Sequence, residues 1–163
     1  MPKKRAILRW AGEILFTIVA IFVITTAIGY FRSPSDAPKR LSDIVGELPL
    51  SHFEGEGAIA IHFWGTWCPV CREEIDNIDS LSKRYRIVTI AVNSGDAEEI
   101  DEWMRSRNLD FPVVADENGE LAKRFGVSVF PSTLFYSSDG KLLFSESGYI
   151  TTPGMSVRMW LAK

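Results

Sequence analysis

Two cysteines occur among the 163 residues, Cys68 and Cys71, and only two residues separate them. Thiols at this spacing can close a disulfide ring, supply half of a zinc site, anchor a c-type haem, or sit inert in a core. Tetrahedral zinc requires two further soft ligands, and His52 and His62 are the only histidines. Haem attachment requires histidine directly after the second cysteine, where this chain has Arg72. Inert core thiols remain the bland alternative, and the Trp67 and Pro69 that bracket Cys68 weigh against them. Redox chemistry is the reading with the fewest missing parts.

That chemistry depends on what positions the sulfurs. Ala58 to Trp64 is an almost continuous apolar run between Gly57 and Gly65, the pattern of a strand covered on both faces. From Pro69 to about Tyr85 the apolar residues Val70, Ile75, Ile78 and Leu81 recur at helical spacing. Cys68 therefore falls at a strand-to-helix junction, in the first turn of a helix. Unpaired backbone N–H groups and the positive end of the helix dipole favour thiolate over thiol there. Cys68 is the expected nucleophile, and Cys71, one turn further in and less exposed, the expected resolving thiol. Glu73 and Glu74 read as helix-dipole partners or solvated acids rather than acid–base groups.

The remaining elements alternate. Ile87 to Val92 is a second buried strand, Glu98 to Arg107 a helix, Phe111 to Val114 a short strand, and Glu120 to Phe125 a helix closed by Gly126. Thr133 to Tyr136 and Lys141 to Phe144 flank the loop Ser137-Ser138-Asp139-Gly140, a hairpin signal. Pro153 to Ala162 reads as a closing helix with proline at its first position. The strand–helix–strand rhythm implies a parallel core and the hairpin an antiparallel end. The fold class is α/β, a central mixed sheet flanked by helices.

Ahead of this domain, Ile14 to Phe31 carries no ionisable side chain except the Tyr30 hydroxyl. Eighteen helical residues reach about 27 Å, close to the hydrocarbon thickness of a bilayer. Lys3, Lys4, Arg5 and Arg9 place the N-terminus in the cytoplasm. Residues 1–32 are thus expected to be a cytoplasmic basic tip and a transmembrane signal anchor, 33–40 a linker with Pro34 and Pro38, and 41–163 the domain. A cleaved signal peptide competes, but the run exceeds the usual signal length and no Ala-x-Ala site follows it. An anchor puts the domain on the periplasmic, extracytoplasmic side of the inner membrane, where disulfide chemistry is possible. Five basic residues and one acidic lie in 1–32, so the overall charge of −3 leaves −7 on the rest. An acidic domain repels phosphate backbones, which excludes nucleic acid as a partner.

Three stretches carry a family resemblance: Phe63-Trp64-Gly65-Thr66-Trp67-Cys68-Pro69-Val70-Cys71, Val127-Ser128-Val129-Phe130-Pro131-Ser132-Thr133, and Asp139-Gly140. From Leu41 to Lys163 the chain resembles the thioredoxin superfamily. Within it the chain resembles the membrane-anchored, exported branch typified by ResA and TlpA. Gly148-Tyr149-Ile150-Thr151-Thr152 and Met159-Trp160-Leu161-Ala162 are most similar to its ScsD-like members. The resemblance implies a thioredoxin fold, a cis peptide before Pro131, and substrate binding by Trp67, Phe130 and Pro131. It implies that Ile87 to Val114 is an insertion relative to minimal thioredoxins. Phe130 stands where many relatives carry a smaller or β-branched residue, so a large ring narrows the groove or adds an apolar contact. His62 stands where thioredoxins keep a buried aspartate behind the second cysteine. Protonated, it would favour thiolate and make the protein more oxidising; neutral, it would serve as a base for Cys71; satisfied by backbone bonds, it would be a plain core histidine.

The expected activity is thiol–disulfide exchange with exported proteins through the Cys-Pro-Val-Cys pair, without cofactor or metal. A single anchored domain lacking a dimerisation module fits a reductant fed by a membrane electron-transfer partner. Copper delivery through Cys68 and Cys71 is the alternative, although copper-delivery relatives of this fold typically space their cysteines by three residues. A peroxiredoxin-type peroxidase expects threonine three residues before its cysteine, and Thr66 is two before Cys68.

Overall fold

In the computed structural model every residue of Ile59–Trp64 (β1) and of Ile87–Val92 (β2) is buried. Neither run alternates because both faces of their sheet are covered. The structure describes residues 37–43 and 57–163 and, nearer the N-terminus, 10, 13–17, 19, 20 and 24. The chain divides into two compact units, Met1–Arg32 and Ser33–Lys163. In the first, residues 13–17 are helical and the Thr17 hydroxyl donates to the Glu13 carbonyl at 2.8 Å. Among the described residues no helix is long and apolar enough to cross a membrane. Most of the span expected over Ile14 to Phe31 lies outside the described residues.

The second unit continues from β1 through Pro69–Ser82 (α1), β2, Ala97–Arg105 (α2), Val113–Asp116 (β3), Glu120–Arg124 (α3), Ser132–Tyr136 (β4), Leu142–Ser147 (β5) and Thr152–Leu161 (α4). Its five-stranded sheet has the order β3-β2-β1-β4-β5. β1, β2 and β3 run parallel, while β4 pairs antiparallel with β1 and with β5. This is the expected mixed α/β sheet. The two-residue period of β1 divides its side chains between two layers. Ile59, Ile61 and Phe63 join Val88, Ile90, Ala122 and Phe125 in one core. Ala60 meets Ile78 and Leu81 of α1 and Met155 and Met159 of α4 on the other side. Trp64 packs there with Cys68, Cys71 and Ile75, and with Ile100 and Met104 of α2.

Several expected boundaries move. α1 stops at Ser82 because the Arg84 and Tyr85 N–H groups both turn back to the Leu81 carbonyl at 2.9 Å. β3 begins two residues late: Phe111 leaves the ladder to pack against Trp64, and only then does the chain pair with β2. Pro153 sits at the second position of α4, behind Thr152, and the Thr151 side chain caps the helix by accepting from the Gly154 N–H. Within the stretch from Ile87 to Val114, expected as an insertion, β2 lies inside the sheet between β1 and β3, and β3 forms its edge. Residues 37–40, expected within a linker, are packed on the domain. Ala37 is buried in the core, the Tyr136 hydroxyl donates to the Pro38 carbonyl, the Leu142 N–H donates to Lys39, and Arg40 bridges to Lys141 beside β5. Extended backbone beside an unpaired edge satisfies N–H and C=O groups that a free linker would leave to water.

Candidate redox site

β1 delivers the chain to the carboxyl end of the parallel strands, where Gly65, Thr66 and Trp67 turn it into α1. Three hydrogen bonds hold the turn to the end of β2. The Thr66 N–H donates to Ser94 Oγ (3.0 Å), Ser94 Oγ donates to the Val92 carbonyl (3.0 Å), and Trp67 Nε1 donates to that same carbonyl (2.9 Å). Gly65 is required by proximity: a Cβ there would lie 2.6 Å from Trp67 Nε1. Gly65→Ala is expected to displace the indole, break its bond to Val92 and cost about 1–3 kcal/mol, as read by urea unfolding.

Cys68 and Cys71 are joined in a disulfide, with Cα atoms 5.3 Å apart. Cys68 is the N-cap of α1 and Pro69 occupies its first position, where the missing N–H costs nothing. The Cys71 N–H donates to Cys68 Sγ at 3.2 Å. Cys68 retains 4% exposure and Cys71 none, so an incoming group meets the first sulfur before the second. Trp67 is 52% exposed and meets the Phe130 ring edge-on, with centroids 5.5 Å apart. The Phe130–Pro131 peptide is cis, and the Pro131 carbonyl accepts from the Gly148 N–H at 2.7 Å.

His62 lies in the middle of β1, opposite Thr133 of β4 and Thr89 of β2. It is fully buried; Nδ1 hydrogen-bonds the Thr133 hydroxyl at 2.9 Å, and Nε2 has no partner. Burial without a compensating charge lowers its pKa to about 3, so the ring is neutral at physiological pH. Burial thus favours the neutral form among the alternatives for His62.

Glu74 departs most from the sequence reading. It occupies no solvated position: with Cys71, Ile75 and Ile78 it forms the i, i+3, i+4, i+7 stripe of α1 that faces inward. Its side chain is fully buried; one carboxylate oxygen accepts from the Ile150 N–H at 3.0 Å and the other has no partner. Desolvation raises its pKa to about 7, against the opposing pull of the Ile150 bond. Two residues earlier Gly148 holds Pro131, and between them the Tyr149 hydroxyl accepts from Asn77 Nδ2 at 3.0 Å. The segment 148–150 thus ties α1 to the cis-proline strand. Glu73 stays exposed, as expected.

The AhpC/TSA family matches residues 36–145. A thioredoxin-like protein of Haemophilus influenzae is 30% identical over 156 residues, covering 91% of this chain and 92% of that one. The thiol-disulfide oxidoreductase ResA of Bacillus subtilis is 30% identical over 162 residues, covering 93% of this chain and 90% of its own length. Among solved structures, StoA of Bacillus subtilis superposes with a TM-score of 0.54 at 21% identity, over 66% of this chain and 84% of that one, a likeness of fold. The chain belongs to the AhpC/TSA family, as a thioredoxin-like thiol–disulfide oxidoreductase.

Proposed function

We propose that the domain reduces disulfides in exported proteins, with Cys68 attacking and Cys71 resolving. The observation that carries the exchange and its order of attack is the placement of Cys68 Sγ at the N-cap of α1, where the Cys71 N–H and the helix dipole stabilise a thiolate; the direction is left to the potential measured below. The Cys68 thiolate attacks one sulfur of the substrate disulfide; that S–S bond breaks, and the departing thiolate takes a proton. Cys71 gives up its proton and attacks Cys68 Sγ, the mixed disulfide breaks, and a second substrate thiol leaves. Two electrons have passed to the substrate and the Cys68–Cys71 disulfide is formed.

Trp67, next to Cys68 in the chain, Phe130, packed against the cluster that holds both cysteines, and Pro131 after it supply the surface for the substrate chain. An exposed indole against an aromatic edge offers apolar contact, and the cis-proline strand offers backbone. For the Cys71 proton, Glu74 is the first candidate acceptor: it follows Cys71 by three residues on the buried stripe of α1, one of its carboxylate oxygens has no partner, and burial raises its pKa to about 7. Neutral His62, with one ring nitrogen unengaged, is the second candidate. Residues 1–32 anchor the domain on the outer face of the cytoplasmic membrane. A membrane electron donor returns the two electrons. Copper delivery through Cys68 and Cys71 is the second reading, and stoichiometric copper retained by the reduced protein on dialysis would favour it.

The direction is tested by equilibrating the full chain, in detergent, against glutathione and dithiothreitol buffers. A reductant gives a potential near or below that of thioredoxin, about −270 mV; a value near −120 mV would reverse the direction. Absence of any reversible two-electron couple would remove disulfide exchange altogether.

A further inference from the structure

An open groove of about 520 Å³ starts at Phe130, the ring that meets Trp67, and runs away from the disulfide along the ends of β2 and α3. Phe130 and Ser128 form one wall and lead into Pro131; Asn93, Asn118 and Lys123 contribute to the rest. Lys123 is the single charged residue among the described residues that line it.

The floor is held rigidly. The Asp116 carbonyl accepts both the Asn93 N–H (2.9 Å) and the Gly119 N–H (3.2 Å), and its buried carboxylate accepts from Leu121 and Ala122 at 3.1 and 2.9 Å. Asn93 and Gly119 are both in the left-handed region, at φ 47° and 72°. At Gly119 the positive φ favours glycine, and a Cβ there would meet the Asn93 amide at an ordinary contact of 3.5 Å. A preformed surface of this kind binds an extended chain without first being ordered.

We propose that this groove receives the substrate polypeptide beside its reactive cysteine and selects a carboxylate there through Lys123. The proposal rests on the exchange reading above and adds which substrates are favoured. Asn93 and Asn118 each present a donor and an acceptor suited to a peptide backbone, and Phe130 joins the groove to the attacking sulfur. The charge argument follows from the rest of the domain. Residues 33–163 carry a net −7, so an acidic substrate is disfavoured over the surface as a whole and meets an exposed cation at this wall.

The test uses full-length protein in detergent, reduced beforehand and freed of reductant. It is oxidised by disulfide-linked peptides that differ only in carrying Asp or Lys at one of the four positions on either side of the cysteine. Rates are read by acid quench and thiol alkylation. At the best position the Asp peptide is expected to react about fivefold faster than its Lys counterpart at low salt, the scale of an exposed ion pair exchanged for a repulsion. The preference shrinks at 1 M salt, disappears in Lys123→Gln and inverts in Lys123→Glu. Lys123 is exposed, so neither substitution disturbs the core. Equal rates at every position, or a preference that both variants retain, would overturn the groove assignment and leave exchange intact. Failure of every peptide, and of glutathione disulfide, to oxidise the wild-type dithiol would sink both readings.

Discussion

Full-length chain carrying Cys71→Ser is expected to accumulate as a covalent mixed disulfide with its protein substrate, while Cys68→Ser forms none and loses all turnover. The asymmetry follows from the N-cap. Cys68 Sγ receives the Cys71 N–H and keeps the only exposure in the pair. With Cys71 replaced, that sulfur still attacks, and no thiol remains to break the intermediate. Cys71 has no exposure and lies against Ile75 and Trp64, so in Cys68→Ser the surviving sulfur is walled off from a protein disulfide. The check is non-reducing electrophoresis after alkylation, with dithiothreitol releasing the trapped species. Equal trapping by the two variants would mean that the helix terminus does not distinguish the sulfurs.

The second large effect lies in how stability depends on pH. Glu74 has its pKa raised from 4.5 to about 7. Between those values the native state holds a proton that the unfolded chain has released, so stability falls as pH rises, by at most about 1.4 kcal/mol per pH unit. His62 is shifted from 6.5 to about 3. Between those values the unfolded chain holds the extra proton, so stability rises with pH. The two slopes oppose each other from about 4.5 to 6.5 and leave a plateau. Glu74→Gln removes one slope, and stability should then climb by roughly 4–5 kcal/mol from pH 3 to 6.5. His62→Asn removes the other, and stability should drop by roughly 3 kcal/mol from pH 4.5 to 7. Each substitution also shifts absolute stability, so the slopes carry the answer. They are read by urea unfolding at constant ionic strength, and a Glu74→Gln slope matching wild type across the plateau would mean that Glu74 is not protonated in the fold.

Much of this arrangement was legible locally. An apolar run between two glycines gave β1, and the thiol pair after it gave the helix terminus, because both signals reside in neighbouring residues. β5 was harder: its second half is Ser145-Glu146-Ser147, and pairing with β4 holds it in the sheet without an apolar pattern to announce it. Glu74 carries two opposed signals. Its spacing from Cys71 and Ile78 puts it on the buried stripe, but a carboxylate without a visible partner in the sequence points to water. The groove could not be read at all, since Asn93, Asn118, Lys123 and Phe130 meet only through the crossing of β2, α3 and the approach to β4.

Residues 37–40 bear on where this protein can safely be cut. β5 is an outer strand of the sheet, and Lys39 and Arg40 lie along it while Ala37 and Pro38 engage the core and Tyr136. A fragment starting at Leu41 would keep both cysteines and the whole helix that presents them. It would also leave the Leu142 N–H at the start of β5 without its partner and extend the open edge on which sheets join edge to edge. Residues 37–40 therefore double as a cover for one end of that edge.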